Sequence, residues 1–141
     1  MESESRTGTP KIVWIGRVFS ILISLLFLMS AAMKLKGGPE LAQGLAHMGL
    51  PESMVLPLAI LELSCVILYL IPATSVLGAI LLTGFLGGAI CTHWRVGDAF
   101  YLHIVFGILI WLGLYLRDGR LRDLIPLRKN VNAAGVGTGP R

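Results

Sequence analysis

The sequence predicts an all-α integral membrane four-helix bundle with a short interfacial helix between the first and second spans. Three observations predict it. The chain is 55% hydrophobic and only 14% charged, with a mean hydropathy of +0.77, whereas a soluble domain carries about a quarter charged residues. Four apolar segments recur along the 141 residues, each close to the roughly 20 residues that a helix needs to cross a bilayer. The net charge of +4 comes from basic residues gathered mostly near the ends, a pattern that membrane orientation explains. Nucleic acid does not explain it, because no basic residues interleave with exposed aromatics along a soluble module.

The first span runs from Ile12 to Leu35, and Val18 to Met33 carries no charge. A cleaved leader ending near Ser30-Ala31-Ala32 is the rival reading. Glu2 and Glu4 in the leader position and the three apolar segments that follow favour an uncleaved span. Lys36-Gly37-Gly38-Pro39 breaks this helix. Pro39 suits the first turn of a new one, with Glu40 favourable near its N-terminus. Leu41, Leu45 and Met48 recur at helical spacing and Gly49 can close the turn. Pro39 to Met48 is too short to span, so it is read as an amphipathic helix at the interface.

The second span covers Ser53 to Ile71 and contains Glu62. Pro72-Ala73-Thr74 is a tight turn. The third span, Ser75 to Thr92, has no charged residue, and His93-Trp94-Arg95-Val96-Gly97-Asp98 connects it to the fourth, Ala99 to Leu116, which contains His103. The tail from Arg117 to Arg141 is basic, then Gly-rich, with an interfacial stretch expected near Leu121 to Leu127 and disorder beyond. The domain organisation is therefore a polar tail over 1–11, a membrane domain over 12–116 and a basic tail over 117–141.

Orientation follows from the basic residues. Arg6, Lys11, Arg17, Arg117, Arg120, Arg122, Arg128, Lys129 and Arg141 fall on one side of the bundle, and Lys34, Lys36 and Arg95 on the other. Nine against three puts both termini in the cytoplasm and the protein in the cell (inner, plasma) membrane. Cys65 and Cys91 lie on the order of 10 Å apart in depth, beyond the roughly 7 Å that a disulfide tolerates, and are read as apolar packing residues. Gly84, Gly87 and Gly88 are read as a helix-packing surface, since Gly84-x-x-x-Gly88 permits close backbone approach. A homo-oligomer through that face is the alternative. Trp14, Trp94 and Trp111 fit interfacial belts or packing.

Ionisable groups inside a bilayer are costly and often mark function. Glu62 sits near mid-depth, where a lone carboxylate protonates or finds a partner. Lys34, His93, Arg95, Asp98 and His103 all fall in the same half of the bundle. Each has a plainer explanation: a snorkelling Lys34, a register-fixing Glu62, a solvated loop for His93, Arg95 and Asp98, a packing role for His103. Their shared side favours a cluster of Lys34, Glu62, His93, Asp98 and His103. No nucleophile–base pair is evident, no His/Cys set has metal spacing, and no phosphate-binding Gly loop follows a strand. The sequence therefore assigns no reaction and no catalytic residue.

Four segments in register resemble the DoxX-like family of small four-helix membrane proteins, over about Val18 to Leu116. Ser30-Ala31-Ala32-Met33-Lys34-Leu35 resembles the end of its first helix, Met48-Gly49-Leu50-Pro51 its Gly-Leu-Pro loop, and Leu61-Glu62-Leu63 its second-helix glutamate. Gly87 through Asp98, ending His93-Trp94-Arg95-Val96-Gly97-Asp98, resembles its third-helix ending. Ala31-Ala32 stands where a Gly is common before the Lys. The resemblance carries the family positions onto Lys34, Glu62, His93 and Asp98; His103 comes from depth alone. It implies a membrane subunit supporting redox or quinone-linked chemistry with soluble or membrane partner proteins, such as an oxidoreductase subunit, and leaves open whether the chain is itself an enzyme. No flavin, haem or metal is indicated, and a quinone is the one cofactor the reading admits. A non-catalytic scaffold or assembly factor is the alternative, and a small-molecule transporter is disfavoured because the chain shows no inverted repeat.

Overall fold

The computed structural model describes residues 10–125. The polar tail before Pro10, the basic residues Arg6, Arg128, Lys129 and Arg141, and the disorder expected beyond Leu127 lie outside the described residues. The chain forms α1 (Pro10–Lys36), α2 (Pro39–His47), a 3-10 turn (Glu52–Met54), α3 (Val55–Leu70), α4 (Ser75–Arg95), α5 (Tyr101–Arg117) and α6 (Gly119–Leu124). Pro10 and Lys11 thus open α1 rather than belonging to a tail.

α1, α3 (with the 3-10 turn) and α4 are long and apolar enough to cross a membrane. α5 is an apolar helix of 17 residues, about 25 Å at 1.5 Å per residue. α1 packs on α3 and α5, and α4 packs on the same two, so α1 and α4 lie diagonally across a four-helix bundle. Ile23, Phe27, Val66, Tyr69, Leu82, Leu86, Ile110 and Leu114 fill its centre. Ile21, Leu25, Met29 and Met33 on α1, with Ile60, Ile67, Ile80 and Ile108 elsewhere, stay exposed, as expected where the surrounding solvent is lipid.

Pro57 falls within the first turn of α3, where its missing N–H leaves no gap in the ladder. At the end of the second span, the Thr74 hydroxyl donates to the Leu68 carbonyl at 2.9 Å and tightens the expected turn. α4 continues three residues past Thr92, because the residues taken for a loop cap it instead. Asp98 N–H bonds the His93 carbonyl at 3.0 Å, and Gly97 N–H bonds that of Trp94 at 3.1 Å, with Gly97 at φ 79°. This is the Schellman arrangement, which needs a left-handed residue after the helix. α2 ends the same way, with Leu50 N–H on the Leu45 carbonyl at 2.8 Å, Gly49 N–H on that of Ala46 at 3.0 Å, and Gly49 at φ 65°. The interfacial stretch expected from Leu121 to Leu127 begins earlier, as α6, because the Asp118 side chain accepts from Arg120 N–H and caps it.

Two sequence expectations are corrected. A Cβ at Gly84, Gly87 or Gly88 would meet nothing within 4 Å, so these glycines are no packing surface within the bundle. Close approach occurs instead at Gly16, Gly78 and Gly113, where an added Cβ would run into the Leu116–Arg117 backbone, the Tyr69 backbone and Ser20 Oγ respectively. A GxxxG spacing marks small residues on one helix face, but it does not say which neighbour faces them. Cys65 is buried as expected, whereas Cys91 is exposed rather than packed.

Candidate functional site

Lys34 lies in the last turn of α1 and Glu62 mid-way along α3, and the packing of those helices brings the two side chains together. Lys34 Nζ donates to Glu62 Oε2 at 2.8 Å and to Ser30 Oγ at 2.7 Å. Ser30 lies one helical turn before Lys34, the spacing at which side chains on a helix meet. The Glu62 side chain is 2% exposed and that of Lys34 23%. The carboxylate is therefore enclosed by protein, while the ammonium is partly open to its surroundings. Two of the three ammonium protons are occupied, and the third is free for another acceptor.

Lys34 and Glu62 line a cavity of about 650 Å³ at the α2 end of the bundle, and His93 and His103 line it from α4 and α5. Phe27, Phe85 and Phe106 stand in its wall, the first packed against the other two at 6.4 and 6.1 Å. Leu41, Leu45, Met48 and Leu50 close it from α2 and the turn after it. Gly84, Gly88 and Ala89 leave the space open on the α4 side. The small residues of the third span thus shape a void rather than a contact. The size falls in the range of about 300–1,000 Å³ typical of small-molecule sites, and so does the composition, apolar walls with a few convergent polar groups.

The histidines lie side by side, ring centroids 4.7 Å apart and 34° from parallel. The Nδ1 atoms of both are buried and without a hydrogen-bond partner among the described residues. Asp98 Oδ2 stands 3.6 Å from His93 Nδ1, a contact too long for a hydrogen bond. The Gly97 cap is the cause of that proximity, since it folds Asp98 back over the last turn of α4. Arg95 does not join the cluster: its guanidinium donates to the Met48 carbonyl, at the end of α2.

The structure therefore brings Lys34, Glu62, His93 and His103 to one cavity, places Asp98 behind His93, and takes Arg95 to α2. Sequence reasoning missed His47, whose Nε2 lies 3.1 Å from Asp98 Oδ1, and Ser30. The i, i+4 spacing to Lys34 signals Ser30. Nothing in the sequence signals His47, because its partner lies 51 residues away across a loop.

A second concavity, an apolar groove of about 690 Å³, runs along α4 and α5 down to Leu121. The Trp111 indole N–H donates there to Thr83 Oγ1 at 2.9 Å, which satisfies it without a ligand. Trp94 is exposed and stacks on Phe100 at 5.6 Å.

Among known proteins, the profile of the DoxX-like family matches residues 18–114. That match begins in the third turn of α1, ends in α5 and contains every cavity residue named above. No curated protein and no solved structure matches the chain.

Proposed function

This chain belongs to the DoxX-like family, and from that premise we propose that it is a plasma-membrane subunit, both termini cytoplasmic, that supports redox chemistry of partner proteins by holding a quinone. The multi-pass bundle supplies the membrane setting. The observation that carries the reading is the cavity, where apolar walls meet Lys34 and Glu62 on one pair of helices and His93 and His103 on the other. A quinone has an apolar ring and tail and two carbonyl oxygens that need donors. The third Lys34 N–H and the imidazole N–H groups are such donors, and the residues present fit the group. A bound quinone supplies a two-electron, two-proton acceptor. The protein binds it, orients it and excludes bulk water, while the electrons come from the partner.

A second reading, a non-catalytic scaffold, is favoured by one observation: Lys34 and Glu62 already satisfy each other, as a register-fixing pair would. Purification in mild detergent separates the two. The redox reading expects an extractable quinone and a co-purifying redox enzyme. A preparation with neither, which also fails to bind added decylubiquinone, overturns it in favour of the scaffold. The orientation has its own check. In a Cys91→Ser background, a cysteine at Gly97 should react with an impermeant thiol reagent on intact cells, and one at Gly135 should not. A reactive site at Gly135 reverses the topology.

A further inference from the structure

All three histidines of the chain lie in one line with one carboxylate. His47 Nε2 is 3.1 Å from Asp98 Oδ1, Asp98 Oδ2 is 3.6 Å from His93 Nδ1, and the His93 and His103 ring centroids are 4.7 Å apart. Exposure falls along the line. The side chains of His47, Asp98 and His93 are 57%, 39% and 26% exposed, and the Nδ1 atoms of His93 and His103 are buried. One end meets solvent beside α2, and the other end lines the cavity.

We propose that His47, Asp98, His93 and His103 form a proton path from the aqueous surface at the α2 end into the cavity. The proposal rests on the quinone reading of that cavity. Reduction of a quinone to its quinol takes two electrons, which come from the reductant, and two protons, which come from water. His47 takes a proton from solvent. Asp98 accepts it on one oxygen while its other oxygen faces His93, so the carboxylate passes charge without moving its backbone. His93 takes the proton from Asp98 and, with the His103 ring beside it, delivers it at the cavity wall to the bound oxygen. Imidazole suits a relay because one ring nitrogen can accept a proton while the other donates one. Small rotations of Asp98 or His93 close the 3.6 Å gap to hydrogen-bond length. The flanking groups stay out of the line: Arg95 is held by the Met48 carbonyl, and Lys34 by Glu62 and Ser30. His47 and Asp98 do not line the cavity, which makes them positioning and transfer residues rather than ligand contacts.

The test uses the full chain in nanodiscs with decylubiquinone as probe and reduced methyl viologen, a one-electron donor that releases no proton on oxidation, as reductant. Asp98→Asn and His47→Gln should bind the probe within about twofold of wild type. They should slow proton uptake on reduction at least about tenfold, the low end of what positioned acid–base groups contribute being about a hundredfold. Asp98→Glu should keep the rate, and added imidazole should restore it in His47→Gln. A second readout needs no quinone. In ¹⁵N-histidine spectra, Asp98→Asn should move the signals of both His47 and His93. Probe binding with an unchanged uptake rate, or a shift confined to His47, overturns the path and leaves the quinone reading standing. A wild type that binds no probe overturns the reading and the path together.

Discussion

The two ends of the bundle use the same kinds of residue to opposite effect. At the α6 end, Gly78 lets α4 touch the α3 backbone at Tyr69, and Gly113 lets α5 touch Ser20 on α1. The polar groups there are joined: the Tyr69 hydroxyl donates to the Ile110 carbonyl at 2.8 Å and meets Ser20 Oγ at 3.1 Å. The Arg117 guanidinium lies over the Tyr69 ring at 4.7 Å and donates to the Tyr69 carbonyl. At the α2 end, Gly84 and Gly88 face a cavity, and the Nδ1 atoms of His93 and His103 have no partner among the described residues. Satisfied polar groups and backbone contact make a clamp. Unfilled space and polar groups held in reserve make a site. What distinguishes the ends is the geometry of the neighbours, not the residue types.

The largest expected effect is at the clamp. Gly78→Ala drives a Cβ into the Tyr69 backbone, closer than any real contact, and the obstacle is backbone rather than a movable side chain. Overpacking typically costs about 1–3 kcal/mol and sometimes more; here the top of that range or beyond is expected. Thermal melting in detergent, followed by size-exclusion chromatography, should show little folded protein. A wild-type melting temperature would mean that α3 and α4 do not meet as described.

The Lys34–Glu62 pair should show a smaller and asymmetric effect. Lys34→Met strands a carboxylate that is 2% exposed, and breaking a buried pair costs about 3–5 kcal/mol. Because Lys34 is only partly enclosed and Glu62 borders the cavity, the lower end of that range is expected. Glu62→Gln leaves the ammonium its Ser30 bond and a neutral amide oxygen in place of the carboxylate, so the loss should be about 1–2 kcal/mol, closer to that of a single hydrogen bond to a charge. The double variant should be more stable than the sum of the singles, which is the sign of direct contact. Additive melting shifts would show that the ammonium and carboxylate act independently.

These effects also mark how far the sequence reaches. Hydropathy was enough to place the four spans, because each helix must satisfy its own backbone in lipid. The Pro39 start and Gly49 end of α2 were legible because proline and glycine act locally. Depth alone paired Lys34 with Glu62, since each sits at a readable distance along its own helix. Rotation about a helix axis was not legible. Gly84 and Gly88 have the spacing of a contact face, and only the position of the neighbouring helices shows that they border a void. The extension of α4 through Arg95 was hidden because His93-Trp94-Arg95 is polar enough to pass for a loop. His47 was hidden because it meets Asp98 only after two glycine-capped helix ends are brought face to face.

The smallest effect on stability, and the sharpest on the comparison, is expected at Gly84. A leucine there meets no atom within 4 Å at its Cβ, and replacing a helical glycine removes a conformational penalty of about 0.5–1 kcal/mol. Gly84→Leu should therefore melt at or slightly above the wild-type temperature, the reverse of Gly78→Ala. Its side chain projects into the cavity that Lys34, Glu62 and His103 line, so decylubiquinone binding should weaken at least about tenfold, an energy of about 1.4 kcal/mol. A stable variant that binds the probe like wild type would show that the cavity is not the quinone site. A fall in stability as large as that of Gly78→Ala would show that the Gly84–Gly88 stripe is covered by something outside this chain. A second copy is then the first candidate, and a concentration-dependent melting temperature identifies it, because subunit association stabilises by mass action.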